Sequence, residues 1–275
     1  MRSDDCLGLI ITALKNDHID YLACARALAK SIRFWQPDSK ICLLTNYEVI
    51  ENNELFDYIK NYRYAIDETN PFANDWQIFF CSPFHETIKL ESDIILTGSI
   101  EHWWTGMRHK DVLIATGCHN FYGEKSQERF YRRAFDYNNL PDVYNGITYW
   151  RLSEFSKQFF MQVRNIFENW EQYYKLLTGV DADMVPDTDV VYAIASVMVG
   201  EENVTLPSMD YPSFVHMKGK HNNFSGEKWT KHFVWELDAG QLRINTIAQQ
   251  YPVHYHEKTF AHKLEEHYDQ LLART

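Results

Sequence analysis

Hydrophobic and polar positions alternate between two rhythms along this chain. Leu7 to Leu14 is an unbroken apolar run, which predicts a strand buried on both faces. Ile19, Leu22, Ala25, Ala29 and Ile32 then recur at helical spacing, with Asn16 and Asp17 offering N-cap chemistry and Pro37-Asp38 ending the helix. Lys40 to Thr45 is a second short apolar run. Strand, helix and strand in this order predict a βαβ unit, hence parallel pairing and a right-handed crossover.

Beyond it, residues 48–71 predict a short helix and a loop, and residues 75–86 fit a short helix or a strand equally well. Lys89 to Leu96 and Asp111 to Thr116 read as strands, and Val143 to Trp150 alternates as another. Residues 119–139 are charged, aromatic and weakly patterned, as an excursion from a sheet would be. Ser153 opens one long amphipathic helix carrying Phe155, Phe159, Val163, Ile166, Trp170 and Tyr173, stopped near Gly179. Pro186-Asp187 starts a further helix, and Phe260, Leu264, Tyr268 and Leu271 mark a last one. The pattern predicts one α/β domain: a core over residues 1–220 with a mostly parallel central sheet flanked by helices, and an extension over 221–275 packed on the same domain.

Chemistry concentrates where the strand pattern is broken. Glu91 and Asp93 interrupt the run Lys89 to Leu96, and in a continuing strand they point to one face. Two neighbouring carboxylates repel unless a cation lies between them, and oxygen-rich sites suit Mg²⁺, Mn²⁺ or Ca²⁺. The plain alternative is two solvated acids before the turn at Thr97-Gly98-Ser99. His216 ends an extended segment and precedes Lys218, Gly219 and Lys220; an imidazole can complete a carboxylate metal sphere, and the lysines suit phosphate. Asn145-Gly146 lies inside a strand, where glycine marks a bulge or the close approach of a ligand. Asp187 and Asp189 suit a helix N-terminus, a structural role sufficient in itself.

Composition narrows the class. The 275 residues carry a net charge of −11, which argues against a broad electrostatic footprint on nucleic acid. Aromatic residues make up 15%, suited to stacking surfaces as well as to a core. The five cysteines are scattered with no CxxC, as expected of reduced thiols in the cytoplasm. No apolar run is long enough to span a bilayer, so no membrane partner is expected. GxGxxG, the P-loop, GxSxG and HExxH are all absent.

Taken in order, these segments resemble the GT-A glycosyltransferases, most closely the glycogenin and galactosyltransferase-like group, glycosyltransferase family eight. Ile11-Thr12-Ala13 through Tyr21 looks like the opening strand and nucleotide loop, and Leu90 to Leu96 like the metal-binding "LDaDilv" strand. Tyr144-Asn145-Gly146-Ile147 looks like "FNSGvm", Pro186 to Asp189 like "pDQD", and Val215 to Lys220 like "iHf.Gk". The sequence departs from the pattern at Glu91, where the family has Asp, at the missing Ser after Asn145, and at Lys228-Trp229 in place of a nearer Lys-Pro-Trp. The resemblance implies a Rossmann-like GT-A fold and transfer from a nucleoside diphosphate sugar, a UDP-sugar first, with retention. It implies Mn²⁺ or Mg²⁺ held by Glu91, Asp93 and His216, with His254 and His256 as rival histidines. Donor contacts fall to Thr12, Ala13, Asn16, Tyr21, Asn145, Gly146, Lys218, Gly219 and Lys220, and catalytic roles to Asn145, Asp187 and Asp189. The acceptor stays open among a glycan, a small molecule and, as in phage-type transferases acting in the host cytoplasm, a hydroxymethylated DNA base. Trp103, Trp104, His119, Phe121, Tyr122 and the arginines of 129–133 are candidates to line its site. A sugar-nucleotide binder without turnover is the alternative from another class.

Overall fold

The computed structural model describes residues 6–48, 53–126, 133–182, 185–206, 209, 211–226 and 228–274. Its first unit follows the apolar pattern closely. Strand β1 (Leu7–Ala13) leads through helix α1 (Tyr21–Trp35) to β2 (Ile41–Thr45), and β1 and β2 pair in parallel. The cap of α1 is Asp20, whose carboxylate accepts the Ala23 amide at 2.8 Å. Asn16 instead closes a turn ahead of the helix, accepting the amides of His18 and Ile19.

Strand β3 (Tyr58–Asn61) extends the parallel edge beside β2 where a short helix and loop were expected; among the described residues a 3-10 turn at Asn53–Leu55 precedes it and another begins at Pro71. Helix α2 (Gln77–Cys81) resolves the ambiguous stretch. The expected Lys89–Leu96 strand is in fact two. Strand β4 (Glu86–Glu91) belongs to the main sheet, the chain turns at Ser92-Asp93, and β5 (Ile94–Ile95) joins a different sheet. Glu91 and Asp93 therefore do not share the face of one continuous strand. After α3 (Trp103–Met107) come β6 (Val112–Thr116), α4 (Arg133–Tyr137) and β7 (Val143–Arg151). The central sheet runs β3-β2-β1-β4-β7-β6, with β7 antiparallel to both neighbours and the rest parallel. The mostly parallel α/β sheet is as the pattern predicts.

Beyond the sheet, one long helix was expected, but Asn169 separates α5 (Glu154–Glu168) from α6 (Trp170–Thr178). Ser153 caps α5 and Gly179, at φ 76°, ends α6. Helix α7 (Thr188–Val199) starts at an Asp187 cap. The remaining elements are β8 (Val215–His216), α8 (Gly219–Asn222), the hairpin strands β9 (Trp235–Asp238), β10 (Gln241–Ile244) and β11 (Ile247–Ala248), then β12 (Val253–His254) and α9 (Ala261–Leu272).

Alternate residues of β1 divide between two cores, as strand geometry requires. Leu9 and Ile11 pack with Leu22, Leu28 and Ile32 of α1, while Ile10 joins Phe159, Phe160 and Val191 of α5 and α7. A third core holds Trp229, Tyr255, Phe260 and Leu264 against Ala23 and Ala27 on α1. Arg26 and Lys30 on α1 pair with Glu265 and Asp269 on α9. Strand β12 lies between β5 and β8 in a small sheet, so residues far along the chain reach the end of β4. Among the described residues no helix is long and apolar enough to cross a membrane.

Candidate active site

Ligands of open α/β sheets sit beyond the carboxyl ends of the parallel strands. Here β1 and β4 end level with each other, with Thr12 paired to Glu91, and a cleft of about 740 Å³ opens beyond them. Of the residues singled out in the sequence, Thr12, Tyr21, Glu91, Asp93, Gly146, Asp187, Asp189, His216 and Lys218 line this cleft. Gly219 and Lys220 line a smaller adjoining cavity that shares Lys218 and His256 with it. Ala13, Asn16 and Asn145 line neither.

The turn at Ser92-Asp93 turns the Asp93 carboxylate into a buried position, its side chain only 6% exposed. Strand β12 meets it there, since the Tyr255 amide donates to the Asp93 carbonyl at 3.0 Å. His254 Nε2 lies 2.7 Å from Asp93 Oδ2 and 3.7 Å from Glu91 Oε2. Glu91, Asp93 and His254 each offer a ligand atom within 4.8 Å of the others. His216, expected as the third ligand, is one ring behind. His216 and His254 are register partners on β8 and β12, so their side chains share a face and stack at 4.6 Å with planes 6° apart.

The donor set suits a divalent cation: two carboxylates match the oxygen preference of Mn²⁺ and Mg²⁺, and the imidazole favours Mn²⁺ of the two. Among the described residues, the Nδ1 atoms of both His216 and His254 are buried without a hydrogen-bond partner, a cost that an ion on His254 Nε2 would not relieve. Burial and neighbouring charges shift three titratable groups of the site. Burial raises the Asp93 carboxyl, but His254 and Lys258 outweigh it and hold that group well below the usual carboxylate range. Burial, then the charges of His254 and Lys218, hold His216 well below the ordinary imidazole value. Burial, then Lys258 and His254, bring His256 down to about 4.

These shifts carry a stability consequence. Between about 4 and the ordinary 6.5, folded His256 binds fewer protons than the unfolded chain, so stability falls as pH drops through that window. His216 is shifted in the same direction and adds to the effect. The metal-free protein is thus expected to melt at a clearly lower temperature at pH 4.5 than at pH 7.5, as thermal denaturation by circular dichroism will show. An unchanged melting temperature would contradict it.

A second charged group sits where β4 meets β7. The pairing of β6 with β7 shifts between Ile114 and Ala115, leaving 145–147 as a bulge, which is what Gly146 inside a strand suggested. A Cβ on Gly146 would stand 3.4 Å from Glu91 Oε2, so the bulge brings this backbone into van der Waals reach of the acid. Asn145, expected to hold donor sugar, is fully buried and turned to internal work. Its amide nitrogen donates to Asp189 Oδ1 at 2.7 Å, its side-chain Nδ2 to Asp75 Oδ2 at 2.9 Å, and its carbonyl accepts from Lys89 Nζ at 2.9 Å. Lys89, 1% exposed, also lies 3.4 Å from Asp75 and 3.7 Å from Glu91. Asp187 accepts the Asp189 amide at 2.9 Å as the cap of α7.

Sequence reasoning missed Lys258, Lys89 and Asp75. A lysine between Ile88 and Leu90 in β4 was the legible sign for Lys89; nothing local marks the other two. The expected acceptor aromatics are placed elsewhere. Trp103 is buried and stacks on Tyr211, His119 stacks on Tyr251, and Phe121 is buried, so burial claims them for packing. Trp104 and the exposed Tyr122 lie outside the cleft as well. Arg129 and Arg132 lie outside the described residues.

No protein-family model matches the chain, and no curated protein does. Among solved structures it is similar to the galactosyltransferase LgtC, determined in complex with donor and acceptor sugar analogues. Identity is 12% over 68% of this chain and 70% of that one, with a TM-score of 0.44. The bifunctional glycosyltransferase WbbM matches at 12% identity over 81% of this chain and 42% of its own, with a TM-score of 0.48. Mouse xyloside xylosyltransferase 1 matches at 11% identity over 73% of this chain and 84% of its own, with a TM-score of 0.45.

Proposed function

We propose that this chain is a GT-A glycosyltransferase, a metal-dependent enzyme that moves a sugar from a nucleoside diphosphate sugar, a UDP-sugar in the first instance, to an acceptor hydroxyl with retention. The observation that carries the reading is the convergence of Glu91, Asp93 and His254 at the carboxyl end of the sheet, beside a cleft furnished with both acids and cations. The acids Asp75, Asp187 and Asp189 come from the segment before α2 and from the start of α7. The cations Lys218, Lys228 and Lys258 come from the β8 segment and from the chain beyond residue 220. A bipolar cleft of this kind suits a ligand with a diphosphate at one end and hydroxyls at the other.

Glu91, Asp93 and His254 would hold Mn²⁺ or Mg²⁺, with His216 packed against His254 to fix its ring. When bound, the cation supplies Lewis-acid stabilisation of charge on the departing diphosphate. Lys218 and Lys228 add positive charge to the same leaving group. Asp189, fixed by the Asn145 amide, and Asp187 supply negative charge for the anomeric carbon as the glycosidic bond breaks. The leaving phosphate takes the proton of the incoming hydroxyl, so no strong general base is needed. In this reading residues 221–275 pack onto the core and complete its site.

The test is a panel of nucleotide sugars assayed for nucleoside diphosphate release with and without Mn²⁺, in the presence of simple glycans, small-molecule alcohols or hydroxymethylated DNA. Metal-dependent release of UDP is the expected result. Binding without release would leave a sugar-nucleotide binder, and release of inorganic phosphate would mean a phosphohydrolase. Within this reading, His254→Ala is expected to weaken Mn²⁺ binding, measured by calorimetry, by more than about 100-fold, and His216→Ala by only about 10-fold. The reverse order would return the ligand role to His216.

A further inference from the structure

Asp93 is already neutralised, and its neutralising partner is placed to leave. Lys258 Nζ and His254 Nε2 both approach the same oxygen, Asp93 Oδ2. A divalent cation held by Asp93 and His254 would compete for that space: Nε2 cannot donate to Asp93 and ligate at once, and an ammonium beside the ion is repelled. Lys258 is the most exposed of the three. Its side chain is 23% exposed against 6% for Asp93, and it lines the open cleft together with Lys218 and Lys228. Its backbone lies in a bonded turn: the Phe260 amide donates to the Glu257 carbonyl at 2.8 Å, Cys24 Sγ lies 3.9 Å from the Lys258 carbonyl, and Phe260 is buried in the third core. The long, flexible stem can therefore swing without moving the turn that carries it.

We propose that Lys258 is an exchangeable counter-ion for the metal carboxylate. With no cation bound it holds Asp93; when a divalent ion takes the carboxylate, the ammonium rotates into the cleft and becomes a contact for the diphosphate. This rests on the glycosyltransferase reading for the diphosphate, but the exchange at Asp93 stands separately from it. The device explains how a buried aspartate keeps its charge and its geometry before metal arrives, since an unpaired buried carboxylate would be costly.

The experiment is calorimetric titration of the full chain with MnCl₂ alone, then with UDP at saturating Mn²⁺, for the wild type, Lys258→Met and Lys258→Arg. Lys258→Met is expected to bind Mn²⁺ about tenfold more tightly than the wild type and, once loaded, UDP about tenfold more weakly. Lys258→Arg keeps the charge and is expected to bind Mn²⁺ like the wild type. A second readout needs no variant: in the wild type, Mn²⁺ should increase acylation of the Lys258 amine by acetic anhydride, followed by peptide mass spectrometry. Unchanged or weaker Mn²⁺ binding by Lys258→Met, or Lys258 labelling indifferent to Mn²⁺, overturns the exchange and makes Lys258 a permanent partner of Asp93. Tighter Mn²⁺ binding with no affinity for UDP in any of the proteins retains the exchange and removes the nucleotide-sugar reading instead.

Discussion

Asp93→Asn is expected to lower the proposed sugar transfer by at least ~10³-fold, corresponding to about 4 kcal/mol of the transition-state stabilisation that a bound cation would supply. The substitution keeps the shape of the side chain and removes only its charge. Asp93 is the group on which every other part of the centre converges: His254 and Lys258 touch its carboxylate, and the Tyr255 amide fixes its backbone. An amide there is a poor ligand for a hard cation and offers its nitrogen to donors it cannot satisfy. The loss should appear in kcat, with the folded state intact by circular dichroism. Transfer within tenfold of the wild type would refute a metal role for Asp93.

Lys89→Met is expected to destabilise the protein by about 3–5 kcal/mol in urea denaturation, the range for breaking one side of a buried ion pair. Met nearly preserves the stem, so packing is not the cause. The ammonium serves three oxygens, from Asp75, Glu91 and the Asn145 carbonyl, at a site 1% exposed. Without it Asp75 keeps only the Tyr192 hydroxyl and the Asn145 amide. Removing that charge as well should restore stability, so Asp75→Asn in the Lys89→Met background is expected to recover part of the loss, with a positive coupling in the double-mutant cycle. A cost under about 1 kcal/mol would place the pair with ordinary surface ion pairs.

How much the chain announced depends on how each element is buried. Strands β1 and β2 are covered on both faces, so they are written as unbroken apolar runs, and α1 between them as a helical period. Strand β3 lies at the exposed sheet edge, where Tyr58 to Asn61 need no apolar signature. The breaks inside 89–96 and at Asn169 were hidden because apolar residues continue on both sides of each turn, first into a second sheet and then into a second helix.

The site divides in the same way. Glu91 and Asp93 were visible because acids are conspicuous in an apolar run. The neighbourhood of His254 was not, because it depends on the register of β12 between β5 and β8, which no local pattern encodes. Asn145 illustrates the opposite limit: its type suggested a sugar contact, while the bulge turned every polar atom inward.

The insertion of β12 between β5 and β8 also sets an order of events during synthesis. Asp93 and His254 are separated by 161 positions, so a nascent chain emerging from the ribosome can assemble the main sheet well before these two side chains meet. Until those late residues arrive, Asp93 lacks both His254 and Lys258, while Glu91 at the end of β4 already has Lys89 at 3.7 Å. Under the proposed function the half-made protein would lack its imidazole ligand, and transfer would begin only once that last segment is in place.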